Sequence, residues 1–213
     1  MNVTVFGATG GIGRLVVDQL RSNGHTVTAY VRNPGKVPAT WGEAVKVVVG
    51  GITDAAAIDR AVAGADAVVS ALGPSMDRKA TGLPLVEGTQ IIVEAMRQHG
   101  VRRYVGNATP SVLDPRERGT WQTRLPTFMA KTFLRRAYNE LVAMSQIVMT
   151  SGLDWTIVRF LAPKDGAPHA QIRQGFYGND KLRFNITRAD IAAFTAAQVD
   201  NRRYVGAAPG ISN

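Results

Sequence analysis

The stretch VFGATGGIGRLV, residues 5–16, constrains this chain more than any other. Gly7, Gly10, Gly11 and Gly13 crowd into one short turn between two apolar runs. A glycine has no Cβ, so it accepts positive φ and lets another backbone or a ligand come close. The spacing Gly7-x-x-Gly10-x-x-Gly13 follows an apolar strand candidate over 2–6 and opens a helical pattern in Leu15, Val16, Gln19 and Leu20. At such a helix N-terminus unpaired N–H groups and the helix dipole both favour an anion. A tight turn that binds nothing is the other use of these glycines, and the order strand, glycines, helix weighs against it.

Downstream, apolar segments alternate with helical patterns. Strands are expected over 3–6, 26–31, 45–49, 67–71, 103–106 and 155–158, several of them continuous Val/Ile/Ala runs of the kind buried on both faces. Helices are expected over 14–23, 55–63, 83–99 and, as one long element, 127–150. In the long one Leu134, Ala137, Tyr138, Leu141, Met144 and Val148 share a face. Strict alternation implies an α/β fold, a Rossmann-type doubly wound parallel sheet, with ligand lying across the carboxyl ends of the strands. Residues 1–213 are expected to form one domain, with a small C-terminal substrate-side region over 160–185 where Gly, Pro and charge replace periodicity. Thr187-Arg-Ala-Asp190 reads as the capped start of a closing helix through Gln198.

Composition narrows the partners. The absence of cysteine excludes disulfides, thiolate metal sites and a cysteine nucleophile. The first residues already read as core strand and no apolar run is long enough to cross a bilayer, so the chain is expected to be soluble and cytoplasmic, with no membrane partner. The net charge of +9 is spread over helices and loops without a basic block, which favours small anionic ligands over nucleic acid. The oligomeric state is not legible, since the apolar face of the long helix suits a sheet or a second copy equally.

After the second strand the sequence runs TAYVRNPGK, without the acidic residue that would bind an adenosine ribose 2′-hydroxyl. Arg32 stands at the strand end with Lys36 nearby, and a guanidinium there pairs a 2′-phosphate in bidentate fashion. The expected cofactor is therefore NADP(H) in preference to NAD(H).

VFGATGGIGRLVVDQL, YVRNP, ADAVVSALG, SGLDWTIVR and ITRADIA together resemble the atypical short-chain dehydrogenase/reductases, in particular the NADP(H)-binding group of flavin reductase/biliverdin reductase B-like and NmrA-like proteins. The likeness covers the chain apart from 111–125 and 167–184. It implies that Gly7, Thr9, Gly10, Gly11, Ile12 and Gly13 hold a pyrophosphate and that Arg32 holds the 2′-phosphate. Ala71, Leu72 and Gly73 would line the cofactor after the fourth strand. The chain departs from the pattern at Gly50-Gly51, where family members often carry a glycine-aspartate pair and where Asp54 comes only later.

The chemistry ordinary members use is missing. They reduce carbonyls with a Tyr-x-x-x-Lys pair on the helix after the fifth strand, the phenol giving a proton. Here Val142 follows Tyr138 by four, and the only match to the spacing, Tyr177 to Lys181, encloses the turn residues Gly-Asn-Asp. His25, His99 and His169 lack metal-ligand spacing, and their default roles are surface or packing. In GNATPSV, Thr109 stands where the resemblance places an active-site serine, so it is the candidate catalytic residue; a strand-end hydroxyl bonded to backbone is its bland alternative. Ala162 stands where the same relatives carry a histidine.

A flavin or quinone accepts hydride to give a delocalised anion that solvent can protonate, so a protein that reduces one need supply mainly proximity. The expected activity is therefore NADPH-dependent hydride transfer to a flavin, quinone or similar conjugated acceptor, a small-molecule substrate. Arg124, Lys131, Arg159 and Lys164 are candidates to attract a flavin phosphate. The alternatives are an NmrA-like NADP(H)-sensing regulator without turnover and a pathway-specific reductase or isomerase, whose pocket the 111–125 segment with Trp121 would shape.

Overall fold

Runs of Val, Ala and Ile that can be buried on both sides pair in parallel. A computed structural model describes residues 1–213 except 78 and 170, and shows them as β1 (Asn2–Phe6), β2 (Thr26–Val31), β3 (Val45–Val49), β4 (Ala67–Ser70), β5 (Arg103–Ala108) and β6 (Asp154–Arg159). The helices are α1 (Gly11–Ser22), α2 (Ala55–Val62), α3 (Pro84–Gln98), α4 (Trp121–Phe133), α5 (Arg135–Met149) and α6 (Arg188–Ala197). Four short strands complete the set: β7 (Pro163–Lys164), β8 (Arg173–Gly175), β9 (Ile186–Thr187) and β10 (Gly210–Ser212).

The main sheet has the order β3-β2-β1-β4-β5-β6-β10-β8, parallel except for the β10–β8 pair. This is the Rossmann-type arrangement, with the strand order reversing direction between β1 and β4. Side chains alternate across it: Val3, Val5, Val69, Val105 and Val158 pack under α1 and α6, while Phe6, Val68, Tyr104 and Ile157 pack under α2, α3 and α5. Both faces of the central strands β1, β4, β5 and β6 are covered, which is why these read as apolar runs, whereas the edge strand β3 leaves Val47 and Val49 exposed. Among the described residues no helix is long and apolar enough to cross a membrane.

Local signals set the element ends. Asp54 caps α2 by accepting from Ala57 N at 3.0 Å, and Thr187 caps α6 by accepting from Asp190 N at 3.1 Å, as the Thr-x-x-Asp spacing implies.

One expectation needs correction. The single helix over 127–150 is two helices, broken at Leu134 with φ −128° and ψ 37°. Leu141, Met144 and Val148 face the core from α5, whereas Phe128, Met129 and Phe133 on α4 face outward, and Leu134 itself is exposed. The apolar face read over 134–148 thus belongs to α5, apart from Leu134 at the break, and residues 127–133 lie on a separate helix whose apolar side chains turn the other way. The segment over 111–125, unplaced by sequence, contains the start of α4. Within 160–185, where most described residues have no regular structure, β7 pairs with β9 and β8 reaches the main sheet through β10. These strands are two or three residues long, too short for period-two patterning to register.

Candidate functional site

At the carboxyl ends of β1 to β4 lies a cleft of about 550 Å³. Gly7 (φ 75°), Thr9 and Gly10 form its floor, and the amide of Gly10 donates to Gly7 O at 3.0 Å, closing the turn. A Cβ on Gly7 would lie 2.9 Å from the carbonyl oxygen of Ala71, so the two strand ends approach only because that atom is absent. Gly10 is the N-cap of α1 and offers no side chain to the helix, and the first turn carries no acidic residue. The first N–H groups of α1 are thus left for an anion.

Ala71, Leu72 and Gly73 line the opposite wall. At the β2 end Arg32, Asn33 and Lys36 border the cleft, and the only carboxylate among its lining residues is Glu140, at the other end. The structure therefore brings Gly7, Thr9, Gly10, Arg32, Ala71, Leu72 and Gly73 together around one space. Gly11, Ile12 and Gly13 do not line it. Gly11 borders a separate groove beside Arg188, Ile12 packs on the core, and Gly13 carries no Cβ because one there would overlap the Gly7 carbonyl.

Tyr30 also borders the cleft, but its hydroxyl donates to Gly51 O at 2.6 Å, and burial, reinforced by the Asp54 carboxylate, pushes its pKa up to about 12. It holds the β3 turn in place rather than moving protons. Asp54 is engaged as the α2 cap, so it does not substitute for the missing aspartate at Gly51.

Glu140 was not singled out from sequence. It is buried on α5, accepts from Leu85 N at 2.9 Å and from Arg136 Nη1 at 3.1 Å, and Arg136 in turn donates to Ser75 O. Glu140 thereby caps α3, whose N-cap Leu83 has no side-chain acceptor, and Arg136 ties the loop after β4 to α5. A signal was present in the i, i+4 Arg-Glu spacing, but that pattern is common on solvated helices.

Thr109 sits at the end of β5, half-buried and outside the lining of the cleft. Its Oγ1 accepts from Ser111 N at 3.4 Å, and its hydroxyl proton has no acceptor among the described residues. Two residues earlier Asn107 accepts from Thr195 Oγ1 at 3.0 Å, and its buried Nδ2 has no partner among the described residues.

Arg159 overturns its sequence expectation. It is not an open cation beside an acceptor: it is fully buried, donates to Ala208 O and Val112 O at 2.7 Å each, and pairs with Glu117. Tyr177 lies against its guanidinium, 5.3 Å from ring centroid to Cζ, and burial pushes that phenol up to about 12. Tyr177 is thus a packing residue, in agreement with the turn reading of 177–181. Lys164, Arg124 and Lys131 are exposed. The three histidines pair with aspartates, His25 with Asp200, His99 with Asp59 and His169 with Asp190, and among the described residues no three ligands gather into a metal site. Ala162 takes φ 43°, a left-handed turn at the end of β6.

A family model described as NAD(P)H-binding matches residues 7–202. A curated relative from Streptomyces griseus subsp. griseus, (4-alkanoyl-5-oxo-2,5-dihydrofuran-3-yl)methyl phosphate reductase, is 28% identical over 99% of this chain and 67% of its own length. The chain spans only 32–52% of the length of three further curated relatives. Among solved structures, an anaerobillin reductase, ChuY, from Escherichia coli O157:H7 superposes with TM-score 0.78 at 17% identity, covering 99% of this chain and 96% of that one. A wide-type short-chain dehydrogenase/reductase from Veillonella parvula in complex with NADP gives TM-score 0.77 at 16% identity over 100% and 94%.

Proposed function

The chain belongs to the NAD(P)H-binding family, and from that premise we propose that it is an NADPH-dependent oxidoreductase that passes hydride to a flavin, quinone or similar conjugated acceptor. The observation that carries this reading is the pairing, in one cleft, of a bare glycine turn with Arg32 and Lys36, together with the absence of a free proton-donating phenol or imidazole from the residues that line it.

The residues present fit the cofactor. Gly7, Thr9 and Gly10 leave room for a pyrophosphate at the uncapped end of α1, and Gly13 lets that helix come close enough to offer its amides. Arg32 and Lys36 face the place where a 2′-phosphate would lie, and no carboxylate opposes them there, which supports NADP(H) over NAD(H). Ala71, Leu72 and Gly73 supply backbone and apolar surface along the opposite wall. When bound, the nicotinamide supplies the hydride. Thr109 supplies a hydroxyl that still has its proton to donate, to orient either the carboxamide or the acceptor. The one tyrosine on the cleft donates its proton to Gly51, so protonation of the product is left to solvent, which a delocalised anion tolerates and a simple alkoxide does not.

Related names agree with this direction. The Streptomyces relative and the Escherichia coli neighbour are both described as reductases.

The test is steady-state NADPH oxidation with FMN, riboflavin and a small quinone, using wild type, Thr109→Ala and a no-enzyme control, alongside nucleotide binding measured by fluorescence. Turnover that drops by about tenfold in Thr109→Ala with binding retained is the expected result, the worth of one hydrogen bond. Tight NADPH binding without turnover on any acceptor rejects the reductase in favour of a cofactor sensor or an enzyme with a dedicated substrate.

A further inference from the structure

Helix α4 is mounted inside out. The face it turns to the protein carries Thr123, Pro126, Thr127 and Ala130, while Trp121, Leu125, Phe128, Met129 and Phe133 point outward with 51–73% of their surface exposed. Phe184, itself partly exposed, extends the patch through a ring contact with Trp121 at 5.3 Å. A contiguous exposed apolar face rimmed by polar residues marks an interaction surface.

The charge around it says what that partner is. Residues 118–139 contain Arg118, Arg124, Lys131, Arg135 and Arg136 and no acidic residue. Arg136 pairs with Glu140, whereas Arg118, Arg124, Lys131 and Arg135 have no carboxylate partner among the described residues. On the helical wheel Arg124 and Lys131 flank the apolar arc beside Phe128 and Trp121. Arg135 and Arg136 open α5, placing cations at the positive end of a helix dipole, where the fold itself offers Arg135 no compensation. Lys131 Nζ lies over the Tyr138 ring, 5.4 Å from its centroid, but a second copy docking through α4 would still bring the cations of both chains together without a carboxylate between them, which argues against self-association.

We propose that α4 lies on an anionic lipid surface, with its aromatic and aliphatic face in the headgroup boundary and its cations on lipid phosphates. An exposed Trp/Phe/Leu face flanked by Lys and Arg is the composition of a helix that rests in the interface plane without crossing it. That no helix among the described residues is long and apolar enough to cross a membrane is compatible with this, since lying on a membrane requires only one apolar face.

Tryptophan fluorescence makes the test direct, because Trp41 and Trp155 are buried at 1% and 9% exposure and Trp121 stands at 64%. The full chain is mixed with vesicles of equimolar phosphatidylglycerol and phosphatidylcholine, or of phosphatidylcholine alone, and followed by sedimentation and emission. The expected result is co-sedimentation and a blue shift with the anionic vesicles only, reversed by high salt. Arg124→Glu and Lys131→Glu each lower partitioning by roughly fivefold or more, in line with the electrostatic worth of one cation near such a surface. Phe128→Ser with Phe133→Ser abolishes it, while circular dichroism and nucleotide binding stay at wild-type levels. Absence of binding, binding indifferent to these substitutions, a dimer in light scattering that Phe128→Ser dissociates, or capture of an acidic protein in place of vesicles overturns the proposal.

Discussion

The guanidinium of Arg159 and the carboxylate of Glu117 form a buried ion pair across the end of β6, with Nη1 2.9 Å from Oε2 and the arginine wholly out of solvent. The same carboxylate accepts from Tyr177 N at 2.9 Å, so one pair pins both the loop after β5 and the segment leading from β8. Removing one partner strands the other charge in the interior. Glu117→Gln or Arg159→Met is therefore expected to destabilise the fold by about 3–5 kcal/mol. Urea denaturation measures this, and a loss below about 1 kcal/mol would show that water reaches the pair.

Arg32 offers a sharper functional contrast. Arg32→Ala is expected to weaken NADPH binding by about tenfold to a hundredfold, the range for one charge-assisted hydrogen bond, with little change for NADH. Titration calorimetry with both nucleotides decides it. Equal small losses would place Arg32 outside the 2′-phosphate contact.

Gly13 tests the turn instead of the charge. A Cβ there meets the Gly7 carbonyl, so Gly13→Ala must push α1 away from β1. The expected outcome is a destabilisation of about 1–3 kcal/mol by overpacking, with both nucleotides weakened together. Unchanged nucleotide affinity in this variant would mean that the approach of α1 to the turn is not needed for binding.

Acid stability should depend on Asp190. Its burial raises the pKa, but Thr187 Oγ1, the His169 backbone and side chain and the Asn213 amide all bond the carboxylate, and the net effect holds the group below the ordinary aspartate range. A depressed folded-state pKa means that the stabilisation is complete above the unfolded value of about 4 and is lost as pH falls through the folded value. Asp190→Asn should lower stability at neutral pH and flatten the acid limb of a plot of melting temperature against pH. An acid limb identical to wild type would assign that sensitivity to other carboxylates.

What the sequence determined on its own is what neighbouring residues settle among themselves. The glycine spacing requires a turn without Cβ atoms, Val/Ile/Ala runs declare strands buried on both sides, and Thr187 with Asp190 caps a helix through atoms three residues apart. Arg32 was legible for the same reason, because its place depends only on where β2 ends. Tertiary structure decided whatever depends on distant partners. Arg159 reads as a free cation until Glu117, 42 positions away, neutralises it. Glu140 carries no sequence signal of its role until the fold brings it to Leu85 N, and Gly210–Ser212 becomes a strand only because β6 and β8 offer it hydrogen bonds. The outward turn of α4 belongs to the same class: periodicity reports that a helix has an apolar face, and only packing decides whether that face meets the core or the solvent.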